Sequence, residues 1–169
     1  APDRYLGDYV KRQTGADLLL WDGSCIVHEE FKGEVLSNLK KQHPRAKVLV
    51  HPESPASVIE LADVVGSTTQ LIVAAQQLDS SFFIVATEEG ILHKMRQTAP
   101  DKTFLAAPTA GEGATCVSCA RCPWMKMNDL QQLIATLQAG SSQVSIDEEI
   151  RIRAEVPINR MVEYGRQRA

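Results

Sequence analysis

Short apolar runs alternate with amphipathic stretches between residues 17 and 108, and this alternation restricts the fold more than any other feature of the sequence. The apolar runs are too short for helices and are typical of buried parallel strands; they lie at residues 17–21 (DLLLW), 47–50 (KVLV), 82–86 (FFIVA) and 104–106. The stretches between and after them have helical spacing or helix-start signals; they lie at residues 29–42, 55–64, 68–78 and 89–98. Regular alternation of strand and helix predicts a parallel sheet with right-handed crossovers, which is a doubly wound α/β unit.

The character of the sequence changes after the last predicted strand. Residues 109–125 form a loop that contains glycine, cysteine and proline and is long for a compact domain. A helix is predicted over residues 126–138, where apolar residues recur with helical spacing. A polar link then leads to two terminal helical stretches, at residues 146–155 and 158–166, which Pro157 is expected to separate.

Charge and hydropathy exclude several classes of partner. The net charge is −3 and the basic residues are scattered, whereas binding to nucleic acid calls for a clustered basic surface. No apolar run approaches the roughly 18 residues that a membrane span requires, and the first residues do not resemble a secretory leader. We therefore expect a cytoplasmic protein with no nucleic-acid and no membrane partner. In that compartment, clustered cysteines bind metal or carry out redox chemistry more often than they form structural disulfides.

Residues with reactive or polar side chains follow the predicted strands. Ligands of parallel α/β sheets bind beyond the carboxyl ends of the strands. The residues at those positions are Ser24, Cys25 and His28 after the first run, His51 and Glu53 after the second, and Thr87, Glu88 and Glu89 after the third. A helix that begins at Ser67 and Thr68 adds free backbone N–H groups, which suit a carboxylate or a phosphate. The sequence therefore predicts an active site at this edge of the sheet.

Taken singly, these residues also have structural interpretations. Cys25 alone is typical of a small packed residue, and Ser67 and Thr68 are typical helix caps. His28 and His51 could each simply bond to backbone groups at a strand end. Their common position, rather than any one of them, favours a functional site.

The cysteines of this chain have an unusual spacing. Cys116, Cys119 and Cys122 are three residues apart, and Cys25 lies far upstream. Zinc sites usually combine two C-x2-C arms, and here the second arm is missing. A ferredoxin-type run would continue to a fourth cysteine before a proline, but here the third cysteine itself precedes proline. A redox C-x-x-C needs no third thiol. Metal or iron–sulfur binding is favoured over inert thiols, and the spacing does not choose between the two.

Several motifs, in order along almost the whole chain, resemble those of the quinolinate synthase family; they are WDGSCIVHEEF, LVHPES, DVVGSTTQLI, APTAGEGATC-x2-C-x2-CPWMKMN and VPINRM. The resemblance implies an enzyme that condenses iminoaspartate with dihydroxyacetone phosphate to give quinolinate, in the de novo biosynthesis of NAD. It also implies a [4Fe-4S] cluster that three cysteines hold, so that one iron stays open and acts as a Lewis acid. An aspartate-oxidising enzyme that supplies iminoaspartate is a further expected partner.

The resemblance assigns the cysteines of this sequence to different roles. Cys25 in GSCIVHE and Cys122 before Pro-Trp-Met match two ligands of the cluster. The third ligand would come from the N-terminal half of the family's proteins, which this chain does not match. Cys116 and Cys119 would then not bind the cluster and are candidates for a redox-responsive pair.

Substrate-handling roles follow from the same resemblance. His28, His51 and Glu53 match catalytic residues, and Glu53 is the candidate for proton transfer. His51 and Glu53 also match substrate-binding residues, together with Ser67 and Thr68 of the loop that holds a substrate carboxylate or phosphate.

The resemblance also implies how the chain is divided. Residues 17–108 would form a complete three-layer α/β/α domain with a short parallel sheet, and residues 1–16 the end of a preceding α/β domain or a linker helix. Residues 109–169 would form a cysteine-rich loop and helices of an adjacent domain, which pack on the absent N-terminal domain and leave apolar surface exposed. On this interpretation the chain is the C-terminal half of the enzyme and is inactive alone.

Two other interpretations remain open at this stage. The chain could be a small non-enzymatic iron–sulfur or zinc-binding protein that uses all four cysteines. Alternatively, it could be a metal-free thiol–disulfide protein that relies on Cys116 and Cys119. Metal content and the number of cysteine ligands distinguish these interpretations.

Overall fold

The computed structural model describes residues 1–109, 120–140 and 143–167, and the chain divides into two compact units, Ala1–Met127 and Asn128–Ala169. The first unit contains α1 (Arg4–Thr14), α2 (Gly33–Gln42), β1 (Lys47–Val50), α3 (Ala56–Ile59), β2 (Val64–Val65), α4 (Thr68–Gln77), β3 (Phe82–Ala86), α5 (Ile91–Thr98) and β4 (Thr103–Ala106). Short 3₁₀ turns occur at His28–Glu30 and Met125–Met127. The second unit contains α6 (Leu130–Ala139) and α7 (Glu148–Arg166).

The strands of the first unit form a parallel sheet with the order β2-β1-β3-β4. The central pair is β1 and β3, in which Val48 lies opposite Ile84 and Val50 opposite Ala86. The buried residues of both strands are apolar, as expected for strands with both faces covered. The predicted α/β class is thereby confirmed.

Successive residues of the central strands point to opposite faces of the sheet, and each face packs against different helices. One face contributes Val48, Val50, Ile84 and Ala86 to a core that includes Leu36 of α2 and Val58 of α3. The other face contributes Leu49, Phe83 and Val85 to a core that includes Leu71 of α4 and Met95 of α5. Helices on both faces of one sheet give the predicted three-layer α/β/α arrangement.

Helix ends in the first unit follow from local sequence signals. Asp3 caps α1 by accepting a hydrogen bond from the Leu6 N–H, and Gly15 ends α1 with φ of 69°, a conformation that glycine adopts readily. Ser67 and Gln70 form a reciprocal capping box at the start of α4. These signals place the start of α4 where the sequence predicted it.

The strand expected at residues 17–21 is wrong. These residues form no strand within the described range 1–109, and Leu19 and Trp21 are 91% and 72% exposed. The segment instead lies along the chain start, where the Trp21 N–H donates to the Ala1 carbonyl and Leu20 lies close against Gly7 of α1. The apolar composition of residues 17–21 led to the prediction of a strand. None of the strands β1 to β4 pairs with these residues.

Two smaller differences concern element boundaries. The helix expected over residues 55–64 is the single turn of α3, after which the chain forms the two-residue strand β2 against β1. The break expected at Pro157 is also wrong, because α7 continues through this residue. Proline has no N–H and cannot donate the helical hydrogen bond to the carbonyl four residues earlier. The other hydrogen bonds of this 19-residue helix are enough to continue α7 past Pro157.

The second unit exposes many large apolar side chains, in agreement with the exposed apolar surface expected for this part of the chain. Examples are Leu130 and Leu137 of α6 and Ile150 and Met161 of α7. The domain limits predicted at residues 16 and 108 stay predictions. Among residues 1–109, 120–140 and 143–167, no helix combines the length and the apolar character that crossing a bilayer needs.

Packing of α4 on the sheet gives a test of the fold. Leu71 is fully buried, whereas Val73 on the same helix is 39% exposed. Leu71→Ala should lower the free energy of unfolding by about 2–5 kcal/mol, since it leaves a cavity in the core. Val73→Ala should change it by less than about 0.5 kcal/mol, as is usual for surface substitutions. Urea titration followed by circular dichroism measures both, and equal losses for the two variants would contradict this arrangement of α4.

Candidate active site and metal centre

The candidate site lies at the carboxyl ends of β1 and β3. From this central pair the chain continues to β2 on one side and to β4 on the other, so the pair marks the switch point at which ligands of such sheets bind. His51 directly follows β1 and Thr87 directly follows β3. A cavity of about 590 Å³ opens here; its lining includes Cys25, His28, His51, Glu53, Thr68 and Cys122.

His28 lies at the centre of the site and is only 6% exposed. Its Nδ1 is 3.1 Å from Oε2 of Glu53, and its Nε2 is 2.9 Å from Oγ1 of Thr87. An ionised carboxylate only accepts hydrogen bonds, so Nδ1 carries the proton and Nε2 accepts from the Thr87 hydroxyl. The two contacts satisfy both ring nitrogens and tie the 3₁₀ turn to the ends of β1 and β3.

The two histidines of the site form a stacked pair. The rings of His28 and His51 are 4.4 Å apart between centroids and 8° from parallel. Burial lowers the pKa of His28 to about 3, with a further lowering from His51. Burial also lowers the pKa of His51, although the charge of Asp3 opposes this. Both imidazoles are therefore neutral near pH 7.

Glu53 lies beside both imidazoles and retains partial access to the cavity. Its side chain is 26% exposed, and its Oε2 lies 3.7 Å from Nδ1 of His51. Burial raises the pKa of Glu53, and the charge of Asp3 raises it further. A carboxyl group with a raised pKa, next to neutral imidazoles and open to a cavity, is suited to accept and return a proton.

Asp3 is a site residue that the sequence analysis missed. It is 7% exposed, and its Oδ1 accepts the Leu6 N–H while its Oδ2 accepts the Cys25 N–H at 3.0 Å. One carboxylate thus caps α1 and fixes the backbone of Cys25. The only sequence signal was an acidic residue just before a helix, which predicts the cap but not the contact 22 residues away.

Cys25 and Cys122 line the same cavity although they are far apart in the sequence. Both are half-buried free thiols that pack against the same apolar cluster. The segment before Cys122 is anchored where the Glu89 N–H donates to the Ala120 carbonyl at 2.9 Å. Cys116 and Cys119 lie outside the described residues.

The two residues predicted at the start of α4 have different positions. Thr68 lines the cavity. Ser67 is exposed, and its Oγ accepts the Gln70 N–H as part of the helix cap. The structure therefore brings Thr68 together with the histidines, Glu53 and the two thiols, and leaves Ser67 next to them as the cap. The functional roles assigned to all these residues stay predictions.

Comparison with known proteins bears on the identity of the chain. The family model for the quinolinate synthetase A protein (NadA) matches residues 1–163 of the 169. The chain belongs to this family. Membership in the quinolinate synthetase A protein family supports a quinolinate synthase-type function within NAD biosynthesis.

The donor atoms around the cavity fit an iron–sulfur cluster in part. Thiolates are the usual ligands of such clusters, and Cys25 and Cys122 supply two of them at one cavity. Among the described residues the cavity offers no third thiol. Three-cysteine ligation in this quinolinate synthetase A family member would thus need one more cysteine.

Burial of neutral His28 makes stability depend on pH. The unfolded chain binds a proton at His28 near pH 6.5, but the folded chain does so only near pH 3. The contribution of neutral His28 to the free energy of unfolding is therefore fully present above pH 6.5. This contribution decreases as the pH falls below 6.5, because the unfolded chain then binds a proton that the folded chain does not. Between pH 6.5 and pH 5 the loss should be about 2 kcal/mol.

Urea unfolding at pH 7 and pH 5 measures this effect, with His28→Gln as the matched variant. The wild-type chain should lose about 2 kcal/mol more than His28→Gln between these values, since glutamine has no group to protonate. Equal losses in the two proteins would show that His28 is not held neutral.

Proposed function

We propose that the chain acts in quinolinate synthesis, in which iminoaspartate and dihydroxyacetone phosphate condense to quinolinate with loss of phosphate and two waters. The observation that carries this proposal is one cavity that gathers two free thiols, two histidines and a glutamate from three segments of the chain; they are Cys25, Cys122, His28, His51 and Glu53. Family membership supports the same reaction class.

Cys25 and Cys122 are proposed as two ligands of a [4Fe-4S] cluster, and the third ligand is proposed to come from a cysteine outside these 169 residues. When bound, the cluster supplies an iron with an open position, which acts as a Lewis acid on a substrate oxygen or nitrogen. The half-buried position of both thiols limits the access of solvent to the metal ligands. On this proposal the chain by itself is inactive.

Proton transfer is assigned to Glu53. The Glu53 carboxylate would accept a proton from the substrate and return it to a leaving oxygen, because this side chain lines the cavity and its raised pKa favours holding the proton. His28 positions this carboxylate through the Nδ1–H contact, and Thr87 holds the other side of the ring. His51, stacked on His28, would contact the substrate.

Binding of a substrate carboxylate or phosphate is assigned to the start of α4. Thr68 reaches the cavity, and Ser67 caps the helix by accepting from the Gln70 N–H, so the N–H groups of the first helical turn before Gln70 are the ones proposed to bind an anion. Iminoaspartate carries carboxylates and dihydroxyacetone phosphate a phosphate, so both substrates have a group that suits this position. We further propose a cytoplasmic location, with an aspartate-oxidising enzyme as the source of iminoaspartate and with no nucleic-acid or membrane partner.

Substitution of Glu53 tests the assignment of proton transfer. In the complete enzyme, Glu53→Gln should lower turnover by about 10²–10⁴-fold, the usual contribution of general acid–base catalysis. The visible absorbance of the cluster should stay unchanged, since Glu53 is not proposed as a cluster ligand. Glu60→Gln is the matched control, because Glu60 is exposed and lies outside the cavity lining. Normal turnover in Glu53→Gln would remove Glu53 from the mechanism.

Substitution of each cysteine tests the proposed ligands. After anaerobic reconstitution of the complete enzyme with iron and sulfide, Cys25→Ser and Cys122→Ser should each lose the absorbance of the cluster and its iron. Cys116→Ser and Cys119→Ser should keep both. A small iron–sulfur or zinc carrier that uses all four cysteines would instead lose its metal with every one of the four substitutions, and a metal-free thiol–disulfide protein would bind no metal at all.

A further inference from the structure

We propose that Cys25, His28 and Glu53 form a binding site for one divalent transition-metal ion of the Zn²⁺ type, which would be an alternative to an iron–sulfur cluster at the same cysteine. The three ligand atoms, one from each side chain, all lie within 4.8 Å of one another. A tetrahedral zinc ion with ordinary bond lengths places its ligand atoms about 3.5 Å apart. The contact between His28 Nδ1 and Glu53 Oε2, at 3.1 Å, is already close to that spacing.

The chemistry of the donors selects the class of ion. One thiolate, one imidazole and one carboxylate suit Zn²⁺ and Co²⁺, whereas Mg²⁺ and Ca²⁺ prefer oxygen ligands alone. Cys25 and Glu53 would supply negative charge and His28 a neutral nitrogen, so the ligands match the charge of a divalent cation. Since no separation exceeds 4.8 Å, each ligand atom lies at most about 1.3 Å beyond the tetrahedral spacing, a distance that small side-chain rotations can close.

The groups around the ligands are already placed to orient them. With Nδ1 of His28 on the ion, the ring proton moves to Nε2 and is donated to Oγ1 of Thr87, which lies 2.9 Å away. Such a bond on the second ring nitrogen is the usual companion of a metal-binding histidine. The Asp3 carboxylate holds the backbone of Cys25 through its N–H.

A site with three protein ligands leaves one position of a tetrahedral ion open, and all three ligand residues line the cavity through which a further ligand could enter. The site shares Cys25 with the proposed iron–sulfur cluster, so an ion bound here would compete with cluster assembly. This competition rests on the proposed function, whereas the ion site itself rests only on the geometry of the three side chains.

Titration of the reduced 169-residue chain with Co²⁺ under anaerobic conditions tests the site, because a Co²⁺–thiolate bond gives a charge-transfer band. Cys116→Ser/Cys119→Ser is the starting background, so that Cys25 and Cys122 are the remaining thiols. One equivalent of Co²⁺ should bind with the band, and Zn²⁺ should displace it. Adding Cys25→Ser should abolish the band, whereas adding Cys122→Ser should retain it.

The other two ligands are tested in the same background. Glu53→Gln and His28→Gln should each weaken binding at least about tenfold, since even groups that only orient a ligand contribute that much. Circular dichroism shows whether each variant is folded, and Glu53→Gln is the safer of the two because this side chain is 26% exposed. The inference is overturned by a band that survives Cys25→Ser, that requires Cys122, or that is unaffected by folded Glu53→Gln.

Reconstitution with iron and sulfide after preloading with one equivalent of Zn²⁺ tests the competition in the complete enzyme. Cluster absorbance should be lower than in the same enzyme reconstituted without Zn²⁺. Failure to bind Co²⁺, in an enzyme whose cluster still requires Cys25, would refute the ion site and leave the proposed function intact. Binding of Co²⁺, in an enzyme whose cluster does not require Cys25, would refute the proposed ligand and leave the ion site intact.

Discussion

Pairing of β1 with β3 is the constraint on which the site depends. Both strands are buried on both faces, so a shift of register by one residue would turn each apolar set to the wrong core. The register that results sets Val50 opposite Ala86, and the His51 N–H continues the ladder by donating to the Ala86 carbonyl at 3.1 Å. The next residues, His51 and Thr87, therefore emerge side by side. Packing of the core thus fixes the relative positions of the carboxyl ends of β1 and β3, where the site lies.

Burial of His28 between these ends carries a cost that its contacts offset. An imidazole in an apolar environment loses its hydration, and each unpaired nitrogen would cost about 1–3 kcal/mol. Both nitrogens have partners, Glu53 on one side and Thr87 on the other. Neighbouring Val27 and Phe31 are buried in the core, which holds the 3₁₀ turn in place. The same contacts that permit burial therefore orient the side chains that face the cavity.

Much of this arrangement could be predicted from the sequence because it depends on local signals. Strands β1 and β3 carry apolar runs, and α4 begins at a capping sequence. The run at residues 17–21 has the same composition but lies outside the sheet, because pairing depends on partners that composition does not specify. Cys25 reaches the cavity even so, since the turn that follows it packs into the core. Asp3 was missed because its contact with Cys25 is long-range and has no local signal.

Cys25 is proposed as a ligand of two alternative metal groups, an iron–sulfur cluster and a single zinc-type ion, and the number of available thiolates distinguishes them. A cluster takes thiolates almost alone, and the proposed cluster would need a third thiolate besides the two that the described residues place at the cavity. A single zinc-type ion needs only Cys25 together with His28 and Glu53, which already lie within 4.8 Å of one another. The described residues place only two thiols at the cavity, and with two sulfur donors the single ion is favoured. On the two proposals, addition of a third thiolate would reverse this preference and release Glu53 and His28 from the metal. The proposed proton transfer by Glu53 would then be compatible with a cluster and incompatible with an ion at the same cavity, so on these two proposals the supply of sulfur ligands would control whether the carboxylate is free to act.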